Sequence, residues 1–308
     1  MTSLTMIGVV GGGLMGSGIA AKLAAGGQRV LIHDSNSNVR ARVVHRCLNS
    51  LEELERAGVL DADSKEAALG RIRVASALDE LAAADFVIEA VVEDLTVKVD
   101  LFSDLEAILR SGAVIASTTS GIPLDMLTKQ LARPESFLVA HFWNPPHIIR
   151  LVEVVPGVST SSSSVEFCLE LLRSSGCDPV LLKKSVPGFI GNRIQFAVLR
   201  EALHMLDMGV ADAETIDYVI TETVGRRYRY SGPLQSADVG GLHTFAAVSS
   251  HLWPELCSDE APLAGLRRLV DCGELGYSSG KGIFTWDSER RQRLETVRLR
   301  MLQDVITK

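Results

Sequence analysis

Residues 6–34 constrain the fold more than any other stretch. Met6–Val10 is an apolar run that leads into Gly11-Gly12-Gly13-Leu14-Met15-Gly16, a G-x-G-x-x-G pattern. Leu14–Gly26 then reads as a helix with small residues on one face, and Arg29–His33 as a second apolar run ending at Asp34, 18 residues after Gly16. The glycines alone are weak; placed between a strand and a helix and followed by a strand that ends in an acid, they describe a β-α-β dinucleotide cradle. Gly11 permits the tight turn, Gly13 lets the backbone approach a pyrophosphate, and Gly16 allows close packing of helix on strand. Leu14, Met15 and Gly16 open the helix, where unpaired N–H groups and the positive dipole end favour phosphate. Asp34 would accept from ribose hydroxyls and repel a 2′-phosphate. Ser35 and Asn36 bring no cation to reverse that, so the expected cofactor is NAD, not NADP. FAD uses the same turn but fits the second half of the chain poorly. The structural alternative is a glycine turn beside a surface Asp.

Apolar runs continue at Phe86–Ala90, Ala113–Ala116, Phe137–Ala140, Leu151–Val155 and Pro179–Leu182, with amphipathic stretches between them. One of these, Val39–Arg56, reads as an arm of a helical hairpin ending near Gly58. The alternation predicts an α/β fold: a parallel sheet wrapped by helices, forming an N-terminal Rossmann-like domain. After Pro187-Gly188 the texture changes. Ile190–Met208 reads as one long helix, helical patterning runs on through Thr221, and strand-like runs largely stop. The expected domains are therefore 1–186, binding the dinucleotide, and 187–308, mainly helical.

Composition removes several function classes. The 308 residues are 46% hydrophobic and carry a net charge of −7 without a basic run, so nucleic acid is not an expected partner. The five cysteines are scattered and lack C-x-x-C spacing, which predicts reduced thiols and no metal site. No signal-peptide pattern and no stretch of about 18 apolar residues is evident, so the expectation is a cytoplasmic protein with no membrane partner.

Polar residues cluster at the ends of the apolar runs. Ser120 closes Ser117-Thr118-Thr119-Ser120, and His141 follows Phe137–Ala140 and opens His141-Phe142-Trp143-Asn144-Pro145-Pro146. Glu153 lies inside Leu151–Val155, and Asn192 near the start of the long helix. Ligands of open α/β sheets bind beyond the carboxyl ends of the strands. An acid inside an apolar strand needs a donor or a cation, and a His neighbour would satisfy it while becoming a stronger base. From spacing alone two readings stay open. One is a His141–Glu153 dyad. The other is a hydrogen-bonded structural His, with Ser120 as a turn former and Asn192 as a helix cap.

Taken together these segments resemble the L-3-hydroxyacyl-CoA dehydrogenase family over nearly the whole chain. The matching segments are Gly11–Gly16 with Asp34, Val87–Glu93, Ser117–Ser120, His141–Pro145, Leu151–Val154, Pro187–Arg193 and Ser279–Phe284. The resemblance implies His141 as catalytic base, Glu153 as its orienting carboxylate, and Ser120 and Asn192 as the groups holding the substrate oxygen and the base. It implies Ala90, Glu93 and Lys98 as contacts to the nicotinamide ribose and phosphates, and a helical C-terminal domain that forms a homodimer.

Three departures bear on the substrate. Where the family's fatty-acid enzymes carry a Ser and a Lys for CoA phosphates, this chain has Asn49-Ser50-Leu51-Glu52-Glu53-Leu54-Glu55-Arg56, which keeps Ser50 but is rich in acids. Asn144-Pro145-Pro146-His147 has a doubled proline, as in the branch acting on small hydroxy acids that includes L-gulonate 3-dehydrogenase (lambda-crystallin) and carnitine dehydrogenase. Arg226-Arg227-Tyr228-Arg229-Tyr230-Ser231-Gly232-Pro233 also resembles that branch, and Arg227 is either a carboxylate clamp or a solvated surface residue. Substrate-contact candidates are Ser50, Asn144 and Arg227. The first expectation is interconversion of a short L-3-hydroxyacyl-CoA, such as 3-hydroxybutyryl-CoA, with its 3-oxo form. The alternative is the same chemistry on a small free hydroxy acid. A non-catalytic NAD-binding or structural protein is the remaining class, disfavoured because the four proposed catalytic residues are all present.

Overall fold

An eight-stranded sheet forms from β1 (Met6–Val10), β2 (Arg29–His33), β3 (Ile72–Ala75), β4 (Phe86–Glu89), β5 (Val114–Ser117), β6 (Phe137–Phe142), β7 (Leu151–Pro156) and β8 (Asp178–Leu181). The computed structural model describes residues 5–306. Strand order is β3-β2-β1-β4-β5-β6-β7-β8. Every neighbouring pair is parallel except β6 and β7. The expectation of a wholly parallel sheet is corrected at that one pair. A short connection between two strands imposes the reversal, because a parallel partner would need a long crossover. Strand β3 also escapes the apolar runs, since its Arg73 is exposed and only four residues pair. β6 runs past Ala140 to Phe142, so His141 is a strand residue, not the residue after one.

Helices α1 (Leu14–Ala25), α2 (Ser37–Arg56), α3 (Ala62–Gly70), α4 (Leu95–Ile108), α5 (Leu124–Thr128) and α6 (Ser162–Ser174) surround the sheet. Successive residues of one strand enter different cores, as period-two side chains must. Ile88, Ala116, Leu138 and Val154 join Ile19, Leu23, Leu51 and Leu172 in one cluster. Val87, Ile115, Val139 and Val155 join Phe102, Leu105, Leu124 and Leu127 in the other. Burial on both faces explains why these strands read as continuous apolar runs. Cys47 and Cys168 lie in the first cluster as free thiols, and burial pushes them up to about 12.

By contacts the chain divides into one unit ending at Phe189 and a second spanning Ile190–Glu295, with residues from Thr296 onward belonging to the first. The carboxyl-terminal segment, grouped by its patterning with the second domain, thus rejoins the Rossmann-like unit. The second unit holds α7 (Gly191–Asp207), α8 (Ala213–Ile220), a π-helical turn over Thr221–Gly225, α9 (Arg226–Tyr228), α10 (Pro233–Gly240), α11 (Leu242–Leu252), α12 (Ala264–Asp271) and the start of α13 (Ser288–Ile306). The end of α13 brings Leu302 into the first unit's core beside Leu51, Leu54 and Ala57 of the α2 segment, where it is buried. Among the described residues, no helix is long and apolar enough to cross a membrane, and no group of His, Cys, Asp or Glu is placed to hold a metal ion.

One polar contact ties α2 to the chain after β6. His147, buried, bonds through Nε2 to Glu53 Oε2 at 2.8 Å. That bond, with the nearby Arg298 and Arg56 and against the cost of burial, holds the Glu53 carboxyl below the usual carboxylate range. A carboxyl lowered on folding adds stability above its unfolded value, roughly 4.3, and loses it as pH falls through the folded value. Glu53→Gln is therefore expected to lower the urea midpoint at pH 7 and to leave a smaller difference from wild type near pH 3. An unchanged difference at both pH values would remove this linkage.

The second unit leaves large apolar side chains exposed along α7, among them Ile194, Phe196 at 60% and Val198. Large exposed apolar side chains in such number suit a protein interface. Light scattering is expected to give a dimer at micromolar concentration, and Phe196→Glu a monomer. A monomeric wild type would refute this use of the α7 surface.

Candidate active site

The turn between β1 and α1 is built by steric necessity. Gly11 has φ +105°, and a Cβ there would collide with the Ala90 carbonyl. A Cβ at Gly16 would collide with the Gly11 carbonyl oxygen, so both positions exclude side chains. Gly13 occupies the N-cap of α1 and supplies no side-chain cap, while the space beside its Cα is open. The first-turn amides of Leu14, Met15 and Gly16 therefore face a cradle with no capping group, which fits a pyrophosphate.

Asp34 closes the cradle. Its Oδ2 accepts from Gly12 N at 2.8 Å and its Oδ1 from Asn36 N at 2.8 Å, so the carboxylate is fixed in orientation. Asp34, Gly11, Gly13, Ala90 and Val91 line one cleft of about 670 Å³. Lone pairs on both oxygens remain for ribose hydroxyls. Two cations that the sequence reading overlooked come from α2. Arg46 donates to the Gly12 carbonyl at 2.6 Å, and Arg40 to the carbonyls of Asp34 and Ser35 at 2.5 and 3.0 Å. Both act on backbone oxygens of the cradle. The periodicity of α2 was legible, but no local pattern says which arginine turns back toward the glycines.

The β6–β7 pairing assembles the second cluster. His141 lies directly opposite Glu153 in the antiparallel register. Opposed residues share a face of the sheet with adjacent Cβ atoms. His141 Nδ1 and Glu153 Oε2 are 2.9 Å apart, and both side chains are about 4% exposed. With Nδ1–H donated to the carboxylate, Nε2 carries the lone pair. Nε2 faces Ser120 Oγ at 3.2 Å. Trp143 and Phe189 flank the imidazole with ring centroids at 5.3 and 5.4 Å. Phe189 does so from a left-handed backbone, φ +51°, unusual for a bulky residue. Neither ring contact was evident from the sequence.

Ser120 is held in turn by Glu93. Glu93 Oε1 accepts from Thr119 Oγ1 at 2.5 Å, Ser120 N at 2.9 Å and Gly121 N at 3.2 Å. Burial pushes the Glu93 carboxyl up, but the Thr119 bond, the Lys98 ammonium and the Ser120 amide outweigh it and hold it below the usual range. Lys98 is 1% exposed and contacts Glu89 at 2.6 Å and Glu93 at 3.2 Å. Glu89, which the sequence reading passed over, is fully buried. Its signal was present, since an acid that ends an apolar strand needs buried partners.

The remaining candidates are more dispersed. Asn144 is exposed just beyond β6, and the Asn144–Pro145 peptide is cis. Ser50 is half-buried on α2. Of the hairpin acids beside it, Glu53 bonds His147 and Glu55 pairs with Lys65 at 2.6 Å, so two of the three have partners within the fold. Asn192 lies in the first turn of α7, and Arg227 is exposed on α9, both in the second unit.

Comparison with known proteins places both parts of the chain in one family. Residues 6–185 match the 3-hydroxyacyl-CoA dehydrogenase NAD binding domain, and residues 188–286 match the 3-hydroxyacyl-CoA dehydrogenase C-terminal domain. The crystal structure of 5-formyl-3-hydroxy-2-methylpyridine 4-carboxylic acid 5-dehydrogenase, an NAD+-dependent dismutase, is similar with a TM-score of 0.89 and 32% identity, covering 98% of this chain and 97% of that one. The L-carnitine dehydrogenase of Nocardiopsis dassonvillei is 34% identical over 307 residues, covering 97% of this chain and 92% of the relative. The crystal structure of (S)-3-hydroxybutyryl-CoA dehydrogenase from Ralstonia eutropha has a TM-score of 0.75 and 33% identity, covering 93% of this chain and all (100%) of that one. The chain belongs to the 3-hydroxyacyl-CoA dehydrogenase family and is an NAD-dependent oxidoreductase acting on a CH–OH group.

Proposed function

We propose that the protein oxidises a secondary 3-hydroxyl group on a small, free, carboxylate-bearing substrate, with His141 as the base. The observation that carries the chemistry is the chain from Glu153 Oε2 to His141 Nδ1, 2.9 Å, and from His141 Nε2 to Ser120 Oγ, 3.2 Å. In this reading Nε2 takes the hydroxyl proton, and Glu153 stabilises the imidazolium that forms. Ser120 Oγ donates to the substrate oxygen as it becomes a carbonyl. NAD, when bound over Gly11–Gly16 and Asp34, supplies the acceptor for the two electrons leaving C3. Trp143 and Phe189 restrict the ring so that the proton is taken from one direction.

The free-acid part rests on the surroundings of α2. Glu53 is engaged by His147, with Arg298 of α13 nearby, and Leu302 of α13 belongs to the same core cluster as Leu51 and Leu54. The α2 stretch from Ser50 to Arg56 thus offers its acids to protein partners and has no lysine for a phosphate. The similarities to the pyridine carboxylate and carnitine enzymes support the same choice. The second reading, a short 3-hydroxyacyl-CoA, draws its support from the similarity to 3-hydroxybutyryl-CoA dehydrogenase.

The test follows NADH absorbance with 3-hydroxybutyryl-CoA and with free hydroxy acids, including L-carnitine and L-gulonate. Free acids are expected to turn over and the thioester to be inert. A thioester that far outperforms every free acid would reject the substrate while leaving the dyad standing. His141→Ala is expected to lower kcat by roughly 10²–10⁴-fold while NADH still binds, and near-normal turnover would reject the base. NAD is expected to be strongly preferred over NADP, with Asp34→Ala relaxing the preference. Equal wild-type kcat/KM for the two would reject the role of Asp34.

A further inference from the structure

Ser120 is itself held by a charged chain whose buried end is Glu89. The Glu89 side chain is wholly buried at the end of β4, and its two oxygens accept three bonds. Oε1 takes Lys98 Nζ at 2.6 Å and Val91 N at 2.8 Å, and Oε2 takes Ser117 Oγ at 2.6 Å. Lys98 reaches from α4, is equally buried, and bridges Glu89 to Glu93 Oε2. Glu93 then grips the Thr119 hydroxyl and the amides of Ser120 and Gly121 with its other oxygen. Ser117, in the next strand, closes the loop, because Thr119 N donates to its hydroxyl at 3.2 Å.

We infer that Glu89 is a positioning residue: acting through Lys98 and Glu93, and through Ser117, it sets the Ser120 backbone so that Oγ meets His141 Nε2. The inference rests on the proposed role of Ser120 and His141 as the reacting pair. A buried ammonium between two carboxylates stays where both attractions balance. Removing the Glu89 charge leaves Lys98 with Glu93 as its counter-ion. Glu93 is then drawn toward Lys98 and away from the Ser120 and Gly121 amides, because an unpaired buried charge costs more than an exposed hydrogen bond. The Ser120 hydroxyl lies two links from Glu93, so a displacement there alters the 3.2 Å contact with His141. The buried end of this network, Glu89 with Lys98 and Ser117, is densely hydrogen-bonded and so rigid, and it anchors the exposed Glu93 that holds the Ser120 backbone; a fixed hydroxyl is what oxygen-holding needs.

The test is a double-mutant cycle in the full-length protein, with the best substrate from the panel above. Glu89→Gln keeps the shape and a hydrogen-bonding oxygen but removes the charge. It is expected to lower kcat on the order of ten- to hundredfold, the penalty for small misplacement of a reacting group, with a smaller change in KM for NAD. In a Ser120→Ala background the same substitution is expected to have no further effect, since a residue acting through Ser120 has nothing left to position. Independent, multiplying effects, or a raised KM for NAD with unchanged kcat, would overturn the inference. Ser117→Ala leaves every charge in place and repeats the cycle should Glu89→Gln fail to fold. A readout without turnover is the ¹⁵N resonance of His141 Nε2 at fixed pH. Glu89→Gln or Ser117→Ala is expected to move it toward its position in Ser120→Ala, and an unmoved resonance would overturn the inference even if turnover is lost.

Discussion

The register of β6 against β7 is the constraint on which the rest of the site depends. His141 faces Glu153 because the two strands are antiparallel and paired at that residue. A slip of one residue would turn each side chain to the other face of the sheet. Glu153 would then be a buried acid among valines, and His141 would lose the acceptor that fixes its tautomer. The strands around them resist such a slip, since Val139, Ala140, Val152, Val154 and Val155 are all buried and serve two separate cores. The same packing that stabilises the sheet therefore sets the direction in which the imidazole lone pair points.

Much of this could be read from the sequence. The glycine cradle, Asp34 and the long helix after Pro187 follow from residue type and spacing, whereas spacing only drew attention to His141, Glu153 and Ser120, and the family resemblance gave them roles. What escaped reading has a physical reason in each case. The reversal at β7 leaves no mark in composition, because a strand buried on both faces looks alike whichever way it runs. His141 broke the apolar run, so the strand seemed to stop at Ala140. Arg40 and Arg46 hold the cradle from α2 through backbone carbonyls, and backbone acceptors carry no sequence signature. The Glu89–Lys98–Glu93 chain joins residues scattered over β4, α4 and the loop between them, and only the fold shows that Lys98 is buried and paired with both acids.

The acids on α2 illustrate how charge counts mislead. Glu52, Glu53 and Glu55 suggest a surface hostile to phosphate. In the fold Glu53 is a structural anchor for His147 and Glu55 a partner of Lys65. Through Glu53, α2 holds the chain after β6, and through Leu51 and Leu54 it shares a core cluster with Leu302 near the end of α13.

Phe189 joins these themes at the point where the first unit ends. Its backbone sits at φ +51°, a conformation that costs a bulky residue on the order of 1–3 kcal/mol and that glycine would adopt freely. Gly188 before it is also left-handed, at φ +77°. A second glycine would remove the strain but also the ring, which is 2% exposed and packs 5.4 Å from the His141 imidazole. Burial of an aromatic side chain returns about 1.5–3 kcal/mol, enough to offset the backbone cost. The strained turn is therefore sustained by the contact it creates, and the product of that balance is an imidazole held on one side by Phe189, on another by Trp143, and at Nδ1 by Glu153, with Nε2 turned toward Ser120.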